Sequence, residues 1–302
     1  MNAKIEKQFF EDFLKFFHQA EERRRWNIER DIPWEQANRT TSDSTAKIVE
    51  SFSAVEMFLP DYTSKMLHMI RRSRGRAWFQ ANWGYEESKH SLTLDRWLIA
   101  SGNRTPEQME AFADQLLGEE WELPFDHPRQ MIIYTMIQEL ATWLNYKKLR
   151  EQAEREEDGA LTKALQYISR DEAVHYSFFR KGVKLFMEHE PAETVADLAY
   201  VFDHFQMPAR YQIPDYEERA KLIAEAGIYT ARDYIRSVKR PILEDLGLDM
   251  HFKTGLPPLA ETPPVLADPM ADTPIQRIAG VDPEEVRARK REAKRNGASA
   301  PR

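Results

Sequence analysis

The sequence predicts an all-α protein with a four-helix bundle core and additional helices around it. Three observations support this fold class. Apolar residues recur at steps of three and four along several long stretches. No stretch shows the alternation of apolar and polar residues that is typical of a β-strand. Only 11 of the 302 residues are glycine while 42% are hydrophobic, a composition that suits a packed helical core.

The composition also excludes several function classes. The chain has no cysteine, which rules out disulfides, zinc–thiolate sites, iron–sulfur clusters and cysteine nucleophiles. No apolar run reaches the roughly 18 residues of a membrane span. The first residues are charged and contain no apolar signal segment, so a cytoplasmic protein is expected. The net charge of −7 argues against a nucleic-acid partner.

Apolar stripes at helical spacing, interrupted by turn residues and proline, define the first elements. A helix is predicted over residues 3–25, and a turn-rich loop follows it up to residue 44. Helix formers then continue over 45–74, with a kink at Pro60, because proline has no N–H to bond the carbonyl of Glu56 one turn earlier. The first helix should bury one apolar stripe made of Phe9, Phe10, Phe13, Phe16 and Phe17.

The middle of the chain is predicted to hold three further long helices. They span residues 76–100, 129–156 and 160–190. Between the first two, Thr105 begins a shorter helix with the pattern of a capping box. The bundle core therefore comes from the helices between residues 45 and 190.

The remaining helices are shorter, and the end of the chain changes character. Helices are predicted over 192–206 and 216–226, and a last helix capped by Thr230 should bend at Pro241. One helical domain is expected over residues 1–254. Residues 255–302 are rich in proline and charge, which predicts a disordered, solvated tail. Its basic end leaves open a second interpretation, an arm for an acidic partner.

One stripe of the 76–100 helix carries the first indication of chemistry. Its members, spaced by four and three residues so that they share the core-facing side, are Trp83, Glu87, His90, Leu94 and Trp97. Burying an unpaired carboxylate costs several kcal/mol, and a divalent metal would offset that cost. A lone Glu-x-x-His pair often arises by chance and does not by itself define a site.

A second copy of the motif strengthens this interpretation. Glu172 and His175 lie on the apolar stripe of the 160–190 helix, again three residues apart. Glu56 and Glu139 each interrupt an apolar stripe on one further helix. Four core-facing glutamates and two histidines are the inventory of a carboxylate-bridged di-iron site in a four-helix bundle. Their oxygen and nitrogen donors suit iron or manganese.

Antiparallel packing of the four helices divides these residues between two metal ions. One ion would bind Glu56, Glu87 and His90. The other ion would bind Glu139, Glu172 and His175. Glu87 and Glu172 would be the bridging ligands.

The acid that precedes each motif glutamate is predicted to support a histidine across the bundle. Asp171 would accept the ring N–H of His90, and Glu86 would accept that of His175. Without a metal site, Glu86 and Asp171 would be ordinary surface acids.

Other polar and aromatic residues near these motifs admit simpler interpretations. Thr142, one turn after Glu139, could bond a carbonyl of its own helix or lie beside the metal site. The large aromatic residues of the same helices are expected to pack in the core rather than to relay electrons; they are Trp83, Trp97, Trp143 and Tyr146.

These motifs together resemble the soluble acyl-[acyl carrier protein] desaturases, which are ferritin-like di-iron carboxylate proteins. The resemblance covers residues 45–190. It rests on Glu56 four residues before Pro60, on both acid-Glu-x-x-His motifs, and on two short segments, Leu98-Ile-Ala-Ser-Gly and Glu139-Leu-Ala-Thr142. It implies a ferritin-like fold, two iron ions and the six ligands named above.

The resemblance also implies a reaction and its participants. A homodimer would use O2 and two electrons, delivered by ferredoxin or a similar donor, to introduce a double bond into a fatty acyl chain on acyl carrier protein. Thr142 would lie beside the oxygen-binding side. Asp171 would lie on a hydrogen-bonded path from the surface to the iron. A tryptophan would end that path, and Trp26 and Trp34 are both candidates.

Some features depart from the family, and related functions remain open. The segment between Glu56 and Glu87 is shorter than in plant members, and the chain after residue 190 does not resemble them clearly. The length of the acyl chain, the position of the double bond and the contacts with the carrier protein therefore do not follow from the resemblance. A related di-iron oxygenase, either a hydroxylase or an N-oxygenase acting on a carrier-bound or free substrate, would use the same ligands. The sequence is also compatible with a ferritin-like iron or peroxide-handling protein and with a helical interaction protein.

Overall fold

The prediction of an all-α fold is confirmed by a computed structural model, which describes residues 2–248. No strand occurs within these residues. The helices are α1 (Ala3–Gln19), α2 (Ile28–Asp31), α3 (Asp43–Glu56), α4 (Leu59–Ile70), α5 (Arg74–Ala100), α6 (Pro106–Leu117), α7 (Pro128–Arg155), α8 (Gly159–His189), α9 (Pro191–His204), α10 (Tyr216–Glu225), α11 (Ala231–Asp233) and α12 (Arg240–Asp245).

The core bundle consists of the four helices that carry the predicted ligands. Helix α7 packs along α8, α3 packs along α5, and α5 contacts α8. Helix α1 covers one side of this bundle by packing against α5 and α8. None of the helices within residues 2–248 is both long and apolar enough to cross a membrane.

Asp158 fixes the turn between α7 and α8. Its carboxylate accepts the backbone N–H of Leu161 at 2.7 Å, which caps the start of α8. The same side chain accepts the indole N–H of Trp97 at 2.9 Å and the backbone N–H of Asn38 at 3.0 Å. This buried carboxylate therefore ties α5 and the loop before α3 to the α7–α8 turn.

The prediction of one helix kinked at Pro60 was wrong. The regular α-helix ends at Glu56, and α4 begins separately at Leu59. Pro60 lies in the first turn of α4, where a missing N–H costs nothing. As a result, Glu56 is the last residue of α3, beside the two-residue connection to α4.

The phenylalanine stripe of α1 is narrower than predicted. Phe9, Phe13 and Phe16 are buried, whereas Phe10 is half-buried and Phe17 is exposed. Phe9 packs so closely on α5 that a side chain at Gly75 would collide with its backbone. Helix α1 continues as a π-helical turn over Ala20–Arg24, in which Arg24 is buried.

Several shorter features match their predictions. Thr105 forms a capping box with Gln108 at the start of α6. Thr230 caps α11 as predicted, but the departure from regular α-helix is the π-helical turn over Tyr234–Lys239, which precedes Pro241 in the first turn of α12. The predicted domain boundary at residue 254 and the tail over 255–302 lie outside the described residues.

Candidate metal centre

Six predicted ligands meet in the middle of the bundle, and none of them is more than 4% exposed. They form two overlapping groups in which one candidate donor atom from each residue lies within 4.8 Å of the others. Glu87 and Glu172 belong to both groups, which is the position required of bridging ligands. The first group adds Glu56 and His90, and the second adds Glu139 and His175.

The two histidines point the same ring nitrogen at the carboxylates. His90 Nδ1 lies 3.4 Å from Glu87 Oε2 and 3.2 Å from Glu172 Oε1. His175 Nδ1 lies 2.9 Å from Glu87 Oε1 and 3.4 Å from Glu139 Oε2. The step of three residues along α5 and α8 places each imidazole on the same face as its motif glutamate.

The donor atoms at the centre of this cluster have no hydrogen-bond partners, although all of them are buried. They are Glu87 Oε1, Glu139 Oε2, Glu172 Oε1, His90 Nδ1 and His175 Nδ1. Unpaired buried polar atoms are costly, and five that converge on one point are the donors that a bound cation would satisfy. Four carboxylates and two imidazoles fit two divalent iron or manganese ions, whose charge four carboxylates would balance.

The other oxygen of three of these carboxylates is held by a neighbouring side chain. Trp83 donates its indole N–H to Glu139 Oε1 at 2.9 Å, and Tyr146 donates its hydroxyl to Glu56 Oε1 at 2.5 Å. Thr142 Oγ1 lies 2.8 Å from Glu172 Oε2. For Glu139 and Glu172, this arrangement leaves the opposite oxygen facing the cluster.

Trp83 and Tyr146 are buried, as predicted for aromatic residues that pack in the core, but packing is not their only role. Each also donates a hydrogen bond to a candidate ligand. Thr142 likewise satisfies both of its interpretations, because its hydroxyl also lies 3.0 Å from the carbonyl of Gln138 and 3.2 Å from that of Glu139.

The outer contacts of the histidines differ from each other. Glu86 Oε2 lies 2.7 Å from His175 Nε2, as predicted. The predicted hydrogen bond between Asp171 and His90 is absent, since the two groups are 3.7 Å apart. Asp171 instead accepts the indole N–H of Trp26 at 2.7 Å and a guanidinium N–H of Arg24 at 3.0 Å.

Arg24 is a buried cation that the sequence analysis missed. It donates to Glu86 at 2.9 and 3.0 Å and to Asp171 at 3.0 Å, so it bridges the two outer acids. In the sequence it belongs to a run of three arginines that reads as a solvated helix end. The buried stripe of α1, extended by one turn beyond Ala20, reaches Arg24 and could have identified it.

The two candidate tryptophans occupy different environments. Trp26 is buried and donates to Asp171, while Trp34 donates to the backbone carbonyl of Ile28 at 2.9 Å. The indole of Trp26 stacks on the ring of Tyr167, with centroids 5.1 Å apart and planes at 5°. The ammonium of Lys89 lies 3.9 Å from the centroid of the same indole. Only Trp26 of this pair therefore adjoins the outer acids.

Burial and mutual repulsion shift the pKa values of the acids. Burial, together with the charges of Glu87 and Glu172, raises the pKa of Glu56 well above its ordinary value. Burial and the same two charges also raise the pKa of Glu139. For Glu87, burial acts upward, but the imidazoles of His90 and His175 lower its pKa below the ordinary range.

The pKa values of the two histidines are raised by the carboxylates around them. Burial would lower the pKa of His90, but Glu87, Asp171 and Glu172 raise it well above its ordinary value. Burial also opposes the charged form of His175, whose pKa is raised by Glu139, Glu86 and Glu87. The carboxylates therefore favour a positive charge at the centre of the cluster, which is the charge that a bound cation would supply.

A family model described as fatty acid desaturase matches residues 13–246, which include the whole cluster. The chain belongs to this fatty acid desaturase family. The resemblance inferred from the motifs is thereby confirmed.

Curated relatives of this desaturase family member include proteins from bacteria and plants. The chain is 24% identical over 221 residues to DesA1 of Mycobacterium tuberculosis, which is named as an acyl-[acyl-carrier-protein] desaturase. It is 30% identical over 164 residues to the acyl-[acyl-carrier-protein] 6-desaturase of Thunbergia alata. These alignments cover 70% and 52% of this chain, and 64% and 42% of the relatives. The chain thus spans less than two thirds of the length of these relatives.

Solved structures support the fold of the family member. DesA2 of Mycobacterium tuberculosis H37Rv, whose name also refers to acyl-ACP desaturases, has a TM-score of 0.59 at 16% identity, covering 82% of this chain and 97% of that one. An R2-like ligand-binding oxidase reconstituted aerobically with a Mn/Fe cofactor has a TM-score of 0.54 at 17% identity, with coverage of 78% and 90%. The ferritin-like four-helix bundle predicted from the sequence is therefore confirmed.

Proposed function

We propose that this protein is a di-iron oxidoreductase that uses O2 and two external electrons to introduce a double bond into a fatty acyl chain bound to acyl carrier protein. The observation that carries the proposal is the buried cluster of six ligands, whose five central donor atoms have no hydrogen-bond partner. Membership of the fatty acid desaturase family and relatives named as acyl-[acyl-carrier-protein] desaturases support the reaction type.

The proposed ligand assignment follows the two overlapping groups. Glu56 and His90 would hold one ion, Glu139 and His175 the other, and the two shared glutamates would bridge them. When bound, the metal pair would supply the activation of O2 that the removal of two hydrogen atoms from an acyl chain requires. The surrounding apolar side chains of the bundle would exclude water from this chemistry.

Residues around the cluster have proposed roles that depend on their contacts. Thr142 would hold a proton at Glu172 Oε2, to which its hydroxyl is 2.8 Å away. Glu86 would fix the ring orientation and tautomer of His175 through the contact to Nε2. Asp171, with Trp26 bonded to it, would connect the cluster to the surface on the α1 side. Arg24 would keep both outer acids charged and in place.

Three partners complete the proposal. The acyl chain would be delivered by acyl carrier protein, the electrons would come from ferredoxin or a similar small donor, and the protein would act as a homodimer. The acyl length and the bond position depend on surfaces that the shared motifs do not describe.

The reaction can be tested by incubating the protein aerobically with ferrous iron, reduced ferredoxin and a series of acyl carriers. Product masses distinguish the outcomes. Loss of two hydrogen atoms from the acyl chain is expected. Gain of one oxygen atom would instead indicate hydroxylation or N-oxygenation. Iron accumulation far beyond two ions per chain, without acyl product, would instead support a storage protein. Glu172→Ala, which removes a bridging ligand, serves as the inactive control.

A further inference from the structure

A run of oxidisable aromatic rings extends from the candidate metal centre to the connection between α6 and α7. Trp83 donates its indole N–H to the candidate ligand Glu139 at 2.9 Å. The ring of Tyr62 on α4 lies beside this indole, with centroids 5.1 Å apart, and the ring of Trp121 lies 6.5 Å from that of Tyr62. Trp83 and Tyr62 are buried, whereas Trp121 is half-buried. These three rings, called here the aromatic chain, thus join the buried centre to a ring that solvent reaches.

A close approach of α4 to α5 produces the inner contact of the aromatic chain. Gly84 follows Trp83 on α5, and a Cβ added there would lie 3.2 Å from the side chain of Thr63, which follows Tyr62 on α4. Such a contact is tighter than ordinary packing, so a larger residue at position 84 would press α4 away from α5. The missing side chain of Gly84 therefore helps to bring the two rings together.

The other aromatic rings at the cluster lead to no comparable chain. Tyr146 also donates to a candidate ligand, but its ring neighbours among the described residues are Phe52 and His90. Apart from Tyr62, the indole of Trp83 contacts only a phenylalanine and a histidine ring in this part of the chain. Phenyl and imidazole rings are much harder to oxidise than phenol or indole. Within the described residues, only the aromatic chain therefore continues from a candidate ligand through indole and phenol rings.

We propose that the aromatic chain carries oxidising equivalents out of the metal centre when no acyl chain is present to consume them. Each transfer moves one electron inward, first from Trp83 to the centre and then from Trp121 through Tyr62 to Trp83. No bond breaks in these steps, and the indole of Trp83 keeps its proton in the hydrogen bond to Glu139. A soluble one-electron reductant, such as ascorbate or a thiol, then returns an electron to Trp121.

This inference rests on the metal centre of the proposed function, but not on the acyl reaction. It assigns to Trp83 a role in addition to the core packing that the sequence predicts. It also differs from the proposed path through Trp26, which begins at the outer acid Asp171 and brings electrons in from a donor protein.

The hydroxyl of Tyr62 lies in surroundings that prevent it from trapping the oxidising equivalent. The hydroxyl is buried and has no hydrogen-bond partner among the described residues. An oxidised phenol is stabilised chiefly by giving its proton to an acceptor, and none is within reach here. The hydroxyl of Tyr146, by contrast, donates to Glu56 at 2.5 Å and has such an acceptor. Tyr62 therefore passes the charge on to an indole instead of holding it.

The surroundings of Trp121 suit an oxidised indole at the outer end of the chain. Three exposed glutamates flank it in the sequence; they are Glu119, Glu120 and Glu122. Their carboxylates favour a positive charge nearby, which is the charge of an indole that has lost an electron. Because the ring is only half-buried, a small reductant in solution can meet it.

The first test loads the full chain with ferrous iron and adds hydrogen peroxide, without acyl carrier, ferredoxin or added reductant. An oxidised surface indole that no reductant restores loses its N–H proton to water and combines with dissolved O2. Peptide mass mapping should therefore find the added oxygen concentrated at Trp121. Trp78 is the internal control, because it is 47% exposed and lies outside the aromatic chain. Non-specific oxidation from solution would modify Trp78 more than the half-buried Trp121.

Tyr62→Phe interrupts the chain with little change in shape. The variant keeps a ring between the two indoles but removes the easily oxidised phenol, whose hydroxyl makes no hydrogen bond to lose. Oxidation of Trp121 should fall severalfold, and oxidation of Trp83 should rise. Tyr134→Phe is the matched control and should leave both unchanged, because Tyr134 is the other buried tyrosine beside Trp121, at 6.4 Å, and lies outside the chain.

A second measurement follows bound iron through successive additions of peroxide. Trp121→Phe should lose its iron after severalfold fewer additions than the wild type, because oxidation then falls on residues near the ligands. Trp78→Phe should match the wild type. Iron content before peroxide separates the two proposals: a chain without bound iron would refute the metal centre and this inference with it. Full iron with equal oxidation of Trp121 in Tyr62→Phe and wild type, or with more oxidation at Trp78 than at Trp121, would overturn the aromatic chain alone.

Discussion

Trp26 donates its indole N–H to Asp171 at 2.7 Å, and Asp171 immediately precedes the proposed bridging ligand Glu172. Asp171 also lies 3.7 Å from the outer ring nitrogen of His90. The buried indole of Trp26, two residues beyond the π-helical turn that extends α1, is thus separated from the cluster of candidate ligands by one carboxylate. Trp34, the other candidate in the sequence, makes no such contact, because it bonds the carbonyl of Ile28.

Trp26→Phe should slow electron delivery without removing the metal. The substitution keeps an aromatic ring against Tyr167 and deletes only the N–H that bonds Asp171. Without this hydrogen bond the contact between the indole and Asp171 is interrupted, so the rate of iron reduction by reduced ferredoxin should fall severalfold. Stopped-flow absorbance measures this rate. Trp34→Phe is the control, and an equal effect in both variants would contradict the assignment.

Removal of a bridging glutamate should abolish most of the metal binding. The wild type should hold about two irons per chain. Glu87→Ala and Glu172→Ala each remove a residue common to both donor groups, so both ions should be lost together. Metal analysis after anaerobic loading gives the stoichiometry. Glu50→Ala is a matched control, because Glu50 is also a buried acid of the bundle but pairs with Arg104 and Arg219. Variants of Glu87 and Glu172 with full iron would show that the site is elsewhere.

The six candidate ligands could be found from the sequence because helical periodicity decides which side of a helix a residue occupies. Glu87 and His90 are three residues apart, as are Glu172 and His175, and both steps keep the pair on one face. Placing a charge on an otherwise apolar stripe is costly, which made these positions conspicuous. The same reasoning located the bundle helices, since their stripes identify the buried sides.

Contacts between helices were harder to predict, because periodicity gives neither the axial offset of two helices nor the rotamers of their side chains. The bonds from Trp83 to Glu139 and from Tyr146 to Glu56 depend on both. Arg24 was missed for a different reason: it belongs to a run of three arginines, and cations at a helix end are ordinarily solvated. The absent bond between Asp171 and His90 shows the same limit, since a lateral shift of about one ångström separates a contact from a hydrogen bond.

Because of Lys239, the free energy of unfolding should change with pH in the alkaline range. This buried lysine lies in the π-helical turn before α12, and burial lowers its pKa from 10.5 to about 8, against the opposing charge of Asp203. Between these two pKa values the unfolded chain binds a proton that the folded chain does not. The free energy of unfolding therefore gains a contribution that rises with pH over this window, and below pH 8 the full cost of burying the cation is present.

The test compares Lys239→Met with the wild type by urea unfolding on both sides of that window. Near neutral pH the variant should be more stable by an amount on the order of 3 kcal/mol, less whatever its lost contacts contribute. The difference should shrink as the pH approaches about 10. Lys221→Met changes an exposed lysine and should show no such trend. A stability difference that is the same at both pH values would contradict the assigned pKa.

Thr142 lies where both of its interpretations place it, so only a measurement of function separates them. Its hydroxyl carries one hydrogen and has three acceptors within reach, of which Glu172 Oε2 is the nearest at 2.8 Å. If the hydrogen serves only the helix, Thr142→Val should change stability alone. If it serves the bridging glutamate, the same substitution should disturb proton delivery at the cluster.

Thr142→Val keeps the side-chain shape, so iron loading should survive while the product formed per oxygen consumed falls severalfold. The lost oxygen equivalents should appear as peroxide or water. Thr135→Val is the control, because Thr135 is buried on the same helix and its hydroxyl bonds only the carbonyl of Met131 among its assigned contacts, at 2.8 Å. Both variants lose a helix-bonding hydroxyl, but only one loses a contact to a ligand. Oxygen consumption, peroxide and product are measured in one reaction at full iron occupancy. Unchanged coupling in Thr142→Val would assign its hydroxyl to the helix alone.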